Sequence, residues 1–142
     1  MPTKAAPESI ETERAILGGV LLENATFPQV QLDPADFFLP AHQTIFLSIR
    51  DLLSSGSPVD LVILAEELSR RGQLEHIGGA TYLSHLTDGI PRLQNIEHYV
   101  KIVKDHSARR RLIRTGTEIT RRAEAGEEVE SIDFQARKLL TP

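Results

Sequence analysis

Apolar residues recur along this chain at helical spacing, and no stretch of useful length alternates as a strand would. The clearest stripe contains Ile45, Ile49 and Leu52, which are separated by four and three residues. Pro40 stands at the start of this stripe, where its missing N–H costs little because the first turn of a helix has no partner for it. The pattern predicts a helix from about residue 39 to residue 53.

Turn signals separate this helix from the next one. Residues 54–58 read Ser-Ser-Gly-Ser-Pro, which breaks the first helix. Asp60 is predicted to accept a hydrogen bond from the free N–H groups at the start of a second helix, whose buried stripe includes Leu64 and Leu68. Gly72 follows two arginines and is predicted to end that helix in a left-handed conformation. These signals predict two helices joined by a tight corner.

Three more helices are predicted around this pair. One runs from about residue 10 to residue 23, with Ser9 as its N-cap. A shorter helix is predicted within residues 24–32. Another contains Tyr82 and stops near residues 89–91, at a glycine and a proline.

A long uninterrupted helical pattern begins at Asn95. No glycine–proline signal interrupts it before Gly126, which predicts one helix of about thirty residues, against a usual length of roughly 11 to 12. Apolar and small residues recur at alternating steps of three and four residues on both sides of Gly126, and this repeat predicts an antiparallel helical hairpin. The predicted seam consists of Leu112, Gly116, Ile119 and Ala123 on the first helix and Val129, Ile132, Ala136 and Leu139 on the second.

Together these patterns predict an all-α fold, with a compact multi-helix head followed by a projecting antiparallel helical hairpin. Residues 1–8 are predicted to be a disordered lead, residues 9–105 the helical head, and residues 106–142 the hairpin arm. The long helix that begins at about residue 95 continues from the head into the arm.

Four long stretches of the chain resemble a known family. They read, in order, FFLPAHQTIF, GSPVDLVILAEEL, RRGQLEHIGGATYLSHL and NIEHYVKIVKDHSARRRLIR. They resemble the amino-terminal domain of the bacterial replicative DNA helicase, the DnaB family, and the similarity runs from about Pro7 to about Leu140. The order and spacing of the four stretches carry the resemblance, since no single motif among them is chemically diagnostic.

The resemblance implies a non-catalytic collar domain of a hexameric helicase that acts in DNA replication at the fork. In this family such domains pair through their arms into a trimer of dimers above the motor ring, and the collar binds the carboxy-terminal domain of primase. The family keeps its ATP and magnesium sites in a separate RecA-like motor domain, so the full-length family protein is an ATP-dependent DNA helicase. The implied partners are therefore a second copy of the chain and primase, with DNA bound only indirectly or weakly.

Composition and motifs argue against several kinds of chemistry. The chain has no cysteine, so it has no disulfide, thiolate metal site or cysteine nucleophile, and this suits a reducing cytoplasm. Its five histidines stand singly, without the histidine pair beside a glutamate that marks a helical zinc site. Neither a GxxxxGK[ST] phosphate loop nor a G-x-S-x-G nucleophile elbow occurs. We predict no catalytic residue, cofactor or metal in this chain, and we interpret His42 as a helix-start residue bonded to the backbone.

Charge and hydropathy limit the predicted partners further. A net charge of −4 argues against attraction of the whole domain to nucleic acid. No apolar run approaches the roughly 18 residues that cross a bilayer, and residues 1–7 lack the apolar segment of a signal peptide. A cytoplasmic protein without a membrane partner is predicted.

Charge is nevertheless unevenly distributed along the predicted arm. Residues 107–122 carry six arginines against one glutamate, a local charge of +5, whereas residues 123–133 carry five carboxylates, a local charge of −5. One interpretation is a solvated arm whose two ends attract opposite neighbours. The other is a docking or single-strand-facing surface, although arginines without interleaved aromatic residues make a poor platform for stacking bases.

The arginine run leaves an alternative function open, a stand-alone helical DNA-binding or adaptor protein. Residues 61–74 resemble the first half of a helix-turn-helix motif. No basic recognition helix follows, since residues 82–86 carry neither arginine nor lysine. Sequence-specific DNA binding is therefore the weaker interpretation.

Two sets of residues are predicted to contact partners. Two antiparallel helices cannot bury all their faces, so apolar residues off the seam predict a dimer through paired hairpins. A helical segment of primase is predicted to wedge between head and arm, steered by arginines and held by apolar anchors; the alternative for Tyr82 is the head's core and for Ile119 the hairpin seam. The dimer residues are Leu112, Ile113, Gly116, Ile132 and Phe134. The primase residues are Tyr82, Arg110, Arg111, Ile113, Arg114 and Ile119.

Overall fold

The computed structural model describes residues 6–89 and 94–141, and within these ranges it contains helices and no strand, which confirms the all-α prediction. Two short 3-10 segments, Asn24–Gln29 and Pro34–Asp36, connect the first helix to the second. The α-helices are α1 (Ile10–Leu22), α2 (Pro40–Ser54), α3 (Leu61–Arg70), α4 (Gly79–Thr87), α5 (Ile96–Glu124) and α6 (Val129–Leu140).

The core of the head lies between α1, α2, α3, α4 and the first half of α5. Ile45, Phe46 and Ile49 of α2 are buried, as the predicted stripe requires. The rings of Phe37 and Phe46 lie 4.9 Å apart between centroids. Burying each such side chain contributes roughly 1.5–3 kcal/mol. Further core residues are Ile16, Leu17, Val20, Leu64, Leu68, Leu83, Leu86, Ile96, Val100 and Val103.

The boundaries of the central helix pair follow the predicted signals. α2 begins at Pro40 and ends at Ser54, each within one residue of the prediction. The Asp60 Oδ1 atom accepts a hydrogen bond from the Ile63 N–H at 2.8 Å and so caps α3. Gly72 ends this unit with a φ of +71°, a conformation that glycine adopts without the penalty of a Cβ. These boundary predictions are confirmed.

The shorter helix predicted within residues 24–32 is a 3-10 helix from Asn24 to Gln29. Pro28 lies inside it and has no N–H to donate to a helical ladder. The Asn24 Nδ2 atom donates to the carbonyls of Val20 at 2.8 Å and Val59 at 2.9 Å, and its Oδ1 atom accepts from the Val59 N–H at 2.9 Å. Tertiary bonds to the loop between α2 and α3 therefore set the shape of this segment.

The predicted N-cap of α1 makes a different hydrogen bond from the one expected. Ser9 precedes α1, but its hydroxyl pairs with the Thr12 hydroxyl at 2.6 Å and does not accept from a helix N–H. The predicted stop at Pro91 lies outside the described residues, as do residues 1–5 of the predicted lead.

The arm is a hairpin of α5 and α6. α5 is 29 residues long and runs from the head into the arm, as predicted. After a turn at Gly126, where φ is +77°, α6 packs back along α5. The antiparallel helical hairpin is therefore present.

The seam inside the hairpin differs from the prediction. Thr115 is buried and lines a cleft together with Leu139 of α6, whereas Leu112, Gly116 and Ala123 of the predicted seam are exposed. Because α5 is one continuous helix, its contacts with the head fix which of its sides faces α6, and that side carries a threonine. Of the other predicted seam residues, Ile119, Ile132 and Ala136 are half-buried, and Val129 and Leu139 are exposed.

Candidate interaction surfaces

A buried chain of polar side chains joins three helices inside the head. The Nδ1 atom of the buried His42 lies 2.8 Å from Oε1 of Glu13, and its Nε2 atom lies 2.5 Å from the hydroxyl oxygen of Tyr82. Glu13 also accepts from the N–H groups of Phe38 at 2.7 Å and Leu39 at 3.4 Å. The interpretation of His42 as a backbone-bonded residue is therefore wrong, because both of its ring nitrogens bond side chains.

The bonding partners decide which tautomer the His42 ring adopts in its neutral form. A carboxylate only accepts hydrogen bonds, so Nδ1 carries the proton that faces Glu13 and Nε2 accepts from the Tyr82 hydroxyl. Through this arrangement Glu13 of α1 satisfies backbone donors just before α2, where a helix start leaves N–H groups free. The chain of bonds fixes α1, α2 and α4 relative to one another, and it leaves His42 no free nitrogen for a ligand.

Tyr82 has features of both predicted roles, a core residue of the head and a residue that contacts a partner. Its side chain is half-buried and packs against the core, and its ring lies 5.9 Å from the His42 ring, centroid to centroid. Burial raises the pKa of its hydroxyl above the ordinary value. The rest of the side chain remains at the surface of α4, so Tyr82 is partly a core residue and partly accessible.

Arg110 holds the arm to the head. Its guanidinium donates to the carbonyl of Pro7 at 2.7 Å from Nη1 and to the carbonyl of Asp36 at 2.9 Å from Nη2. It also lies over the ring of Phe38, 5.3 Å from the centroid, and Ser107 donates to Oδ1 of Asp36 at 2.8 Å. Arg110 is only 9% exposed. The prediction that Arg110 steers a partner from a free surface is corrected to a role in the head–arm junction.

The arginines beyond the junction fall into two groups. Arg111 and Arg114 are exposed and form no ion pair with any residue in 6–89 or 94–141. Arg121 and Arg122 instead bond Glu118 at 2.7 and 2.9 Å. The hydrogen bond from Arg121, followed by that from Arg122, lowers the pKa of the Glu118 carboxyl to about 2. Of these four arginines, only Arg111 and Arg114 offer a partner a positive charge that no described residue pairs with.

An exposed apolar face lies on the side of α5 turned away from α6. Leu112 and Ile113 are 53% and 56% exposed, and with Gly116, Thr117 and Thr120 they line a shallow groove of about 520 Å³. A Cβ added at Gly116 would meet no atom within 4 Å, so the groove floor is open. Exposed apolar residues gathered on one face are typical of an interface. The structure thus brings three predicted dimer residues together, and we call this surface the arm face.

The remaining predicted contact residues divide between the seam and the surface. Ile119 and Ile132 are half-buried on α5 and α6, and Phe134 is 66% exposed on the outer side of α6. The two isoleucines therefore serve mainly the hairpin itself, whereas Phe134 is available to a partner.

Several contacts between residues far apart in the sequence were not predicted. Glu13 lies in the first turn of α1 and is nevertheless buried. Asp36 and Ser107 lie 71 residues apart and meet at the junction.

Within the described ranges no group of three or more metal-binding side chains is arranged around a common point. Nor does any helix there have the length and apolar character that crossing a membrane requires.

Comparison with known proteins gives one family and close relatives. The model of the family described as DnaB-like helicase N terminal domain matches residues 5–105. The chain is 47% identical over 115 residues to the replicative DNA helicase DnaB of Geobacillus stearothermophilus, an alignment that covers 80% of this chain and 25% of that helicase. The chain thus spans about a quarter of the length of this relative.

Solved structures share the fold. The N-terminal domain of DnaB helicase from Mycobacterium tuberculosis matches with a TM-score of 0.91 and 37% identity, over 97% of this chain and 100% of that one. The N-terminal domain of DnaB helicase from Helicobacter pylori, described with its interactions with primase, matches with a TM-score of 0.69 and 24% identity, over 80% of this chain and 89% of that one.

Proposed function

The chain belongs to the family of DnaB-like helicase N-terminal domains, and from this membership we propose that it is the non-catalytic collar domain of a replicative DNA helicase. Its task is to hold copies of the helicase together and to dock primase at the replication fork. The observation that carries the proposal is the arm face, where Leu112 and Ile113 are exposed beside Gly116.

Self-assembly is the first part of the task. The arm projects apolar side chains on two sides, the arm face on α5 and Phe134 on α6. A second copy of the chain covers these residues in a dimer through paired hairpins, and three such dimers form the collar of a hexamer. Association stabilises the arm because it removes this apolar surface from water.

Primase docking is the second part of the task. The Helicobacter pylori domain that shares this fold was described with its interactions with primase. On this chain, the surface of Tyr82 lies on α4 of the head, and the unmatched charges of Arg111 and Arg114 lie on α5 in the arm. An acidic helical segment of primase is attracted by the arginines and anchored by Tyr82 and by the exposed part of Ile119.

Catalysis belongs to another part of the helicase in this proposal. The chain contains no phosphate-loop signature, and a RecA-like motor domain supplies ATP and magnesium binding. ATP hydrolysis measured on this chain alone is therefore at background, and robust turnover contradicts the proposal. Binding of single-stranded DNA that weakens steeply with salt would favour the DNA-binding alternative.

Titration with the carboxy-terminal domain of the cognate primase tests the docking role. Tyr82→Ala and Ile119→Ala are each expected to weaken binding by about 1–3 kcal/mol, the range of an interface anchor. Val62→Ala is the control, because Val62 is 74% exposed on α3, outside the proposed surface. Unchanged affinity in folded samples of both arm and head variants places the docking site elsewhere.

A further inference from the structure

A cleft of about 390 Å³ lies between α5 and α6, on the side of α5 opposite the arm face. Arg111 and Arg114 line it from α5, and Leu139 lines it from α6. The two arginines are three residues apart, so they share one face of the helix and are separated by about 4.5 Å along its axis. Since neither forms an ion pair with a described residue, the cleft presents two free guanidinium groups.

A buried hydroxyl without a partner lines the same cleft. Thr115 is only 5% exposed, and its side chain forms no hydrogen bond with any described residue. Thr120 and Thr141 instead donate to the carbonyl four residues before them, at 2.9 and 2.7 Å. The Thr115 oxygen keeps contact with solvent, since it is not one of the fully enclosed side-chain atoms of the described residues. The cleft therefore offers a third hydrogen-bond donor.

Glu118 also lines the cleft, but its carboxylate is already occupied. Arg121 donates to both of its oxygens, at 3.1 and 2.7 Å, and Arg122 donates to one of them at 2.9 Å. Glu118 is consequently not available to neutralise Arg111 or Arg114. The same helix thus holds one carboxylate with two arginines, while a second pair of arginines has none.

We propose that this cleft is the seat of a carboxylate side chain, an aspartate or glutamate on the acidic segment of the docking partner. The inference rests on the primase-docking role proposed above. Arg111 and Arg114 donate to the two carboxylate oxygens, Thr115 donates its hydroxyl, and Leu139 packs against the methylene stem. The two arginines then form contacts that persist in the complex, in addition to attracting the partner from a distance.

A carboxylate fits the cleft better than a phosphate does. A phosphate monoester carries a charge of about −1.5 to −2 at pH 7, and the ionised Glu118 in the cleft wall repels such an ion more strongly than a carboxylate. Leu139 provides an apolar wall for the stem of an aspartate or glutamate. The residues that line the cleft include no aromatic ring on which a base of single-stranded DNA would stack.

Binding kinetics distinguish a seat from steering alone. Charges that only steer change the association rate, whereas a contact that persists in the complex changes the dissociation rate. Arg111→Lys and Arg114→Lys keep the charge but lose the fork of donors. Each is expected to raise the dissociation rate of the primase carboxy-terminal domain about three- to tenfold, with the association rate unchanged. Arg109→Lys is the control, because Arg109 is exposed on α5 outside the cleft, and it should alter neither rate.

Removing the hydroxyl of Thr115 tests the third donor without changing any charge. Thr115→Val keeps the shape of the side chain and is expected to raise the dissociation rate about three- to tenfold. Thr117→Val is the matched control. Thr117 lies on the same helix and its hydroxyl also has no described partner, but it is exposed on the arm face. It should leave both rates unchanged, and circular dichroism shows whether each variant is folded.

Photo-crosslinking identifies the carboxylate. A benzoylphenylalanine in place of Leu139 should link to a primase segment that contains an aspartate or glutamate. Replacing that acid with the corresponding amide should raise the dissociation rate, and combining the replacement with Arg114→Lys should add little, because both changes break one contact. Fully additive effects of the two changes, or a cross-linked segment without an acidic residue, overturn the inference.

The remaining outcomes separate the seat from the docking role. If primase binds and its dissociation rate is unchanged in Arg111→Lys, Arg114→Lys and Thr115→Val, the seat is wrong while the docking role stands. If the original chain does not bind primase, the docking role fails and the seat fails with it. Inorganic phosphate or a single-stranded oligonucleotide that binds the original chain, and binds these three variants more weakly, assigns the cleft to phosphate and also overturns the inference.

Discussion

The Nε2 atom of His42 lies 2.5 Å from the hydroxyl oxygen of Tyr82, which connects the buried start of α2 to the surface of α4. Glu13 holds the other side of the same ring. A tyrosine of a proposed docking surface is thereby fixed from inside the head. Changes at Tyr82 consequently affect both the stability of the head and the shape of that surface.

Removing only the hydroxyl separates these two effects. Tyr82→Phe leaves Nε2 of the buried His42 without a partner, so the free energy of unfolding is expected to fall by about 1–3 kcal/mol. Urea denaturation followed by circular dichroism measures this loss. Tyr99→Phe is the control, because Tyr99 is also half-buried and its hydroxyl bonds no described residue. Equal losses in both variants would show that the His42 contact contributes nothing specific.

Arg110 is predicted to be the most sensitive arginine of the arm. Arg110→Lys keeps the charge but cannot reach the carbonyls of Pro7 and Asp36 with a fork of donors. We expect a loss of about 1–3 kcal/mol in the free energy of unfolding, since the carbonyls of two half-buried residues are left unpaired.

Arg114→Lys is the matched control for Arg110→Lys, because Arg114 is exposed and forms no ion pair in the described part of the chain. Its effect should stay within about 0.5 kcal/mol, as for ordinary surface changes. If the two substitutions cost the same, the junction does not depend on the guanidinium of Arg110.

Glu118 gives the arm a defined response to acid. Its pKa is lowered from 4.5 to about 2, first by the hydrogen bond from Arg121 and then by that from Arg122. A lowered folded-state pKa means that the ionised group stabilises the fold above about pH 4.5 and that this contribution is lost as pH falls through about 2. Glu118→Gln should therefore melt below the original chain at pH 6, and the gap should close between pH 4.5 and 2.

Differential thermal melting at several pH values checks this response. Other carboxylates titrate equally in both chains, so the difference between the two melting temperatures isolates Glu118. Glu66→Gln provides the comparison, since Glu66 is exposed on α3 and has no ion pair within the described ranges. A gap for Glu118→Gln that stays constant down to pH 2 would contradict the assignment.

A substitution at Phe134 tests whether the outer side of α6 belongs to the dimer interface. Because it is 66% exposed and packs little against its own chain, Phe134→Ala should leave the melting temperature of a dilute sample nearly unchanged. We expect the dimer to dissociate at higher concentrations of chain than the original does. An unchanged dissociation constant, measured by sedimentation, would remove Phe134 from the interface.

Local signals predicted most helix boundaries of the head, because each boundary is set by residues within a few positions of it. Pro40, Asp60 and Gly72 each act within a few positions of the boundary they set, and the stripe of α2 needs only helical period. The segment at Asn24 broke this rule, because its partner Val59 lies 35 residues away. Propensity cannot anticipate such a bond.

The interaction surfaces were harder to predict, because the sequence does not show which side of α5 packs against α6 and which side faces outward. Leu112 and Thr115 differ by three positions, and a helical pattern favours the apolar residue for the seam. The head fixes the rotation of α5, so Thr115 is buried and Leu112 faces outward. Arg110 looked like its neighbours Arg109 and Arg111 in sequence, and its contacts with Pro7 and Asp36, 103 and 74 residues away, distinguish it.

Sedimentation equilibrium of the chain from low to high micromolar concentration tests the central claim, that the arm is a self-assembly surface. The original chain should dimerise reversibly, and Ile113→Asp, which buries a charge in the arm face, should weaken the dimer at least about tenfold. Val62→Asp, at a still more exposed apolar residue on the head, should dimerise as the original does. A strictly monomeric original chain, or equal weakening by both substitutions, would contradict the claim.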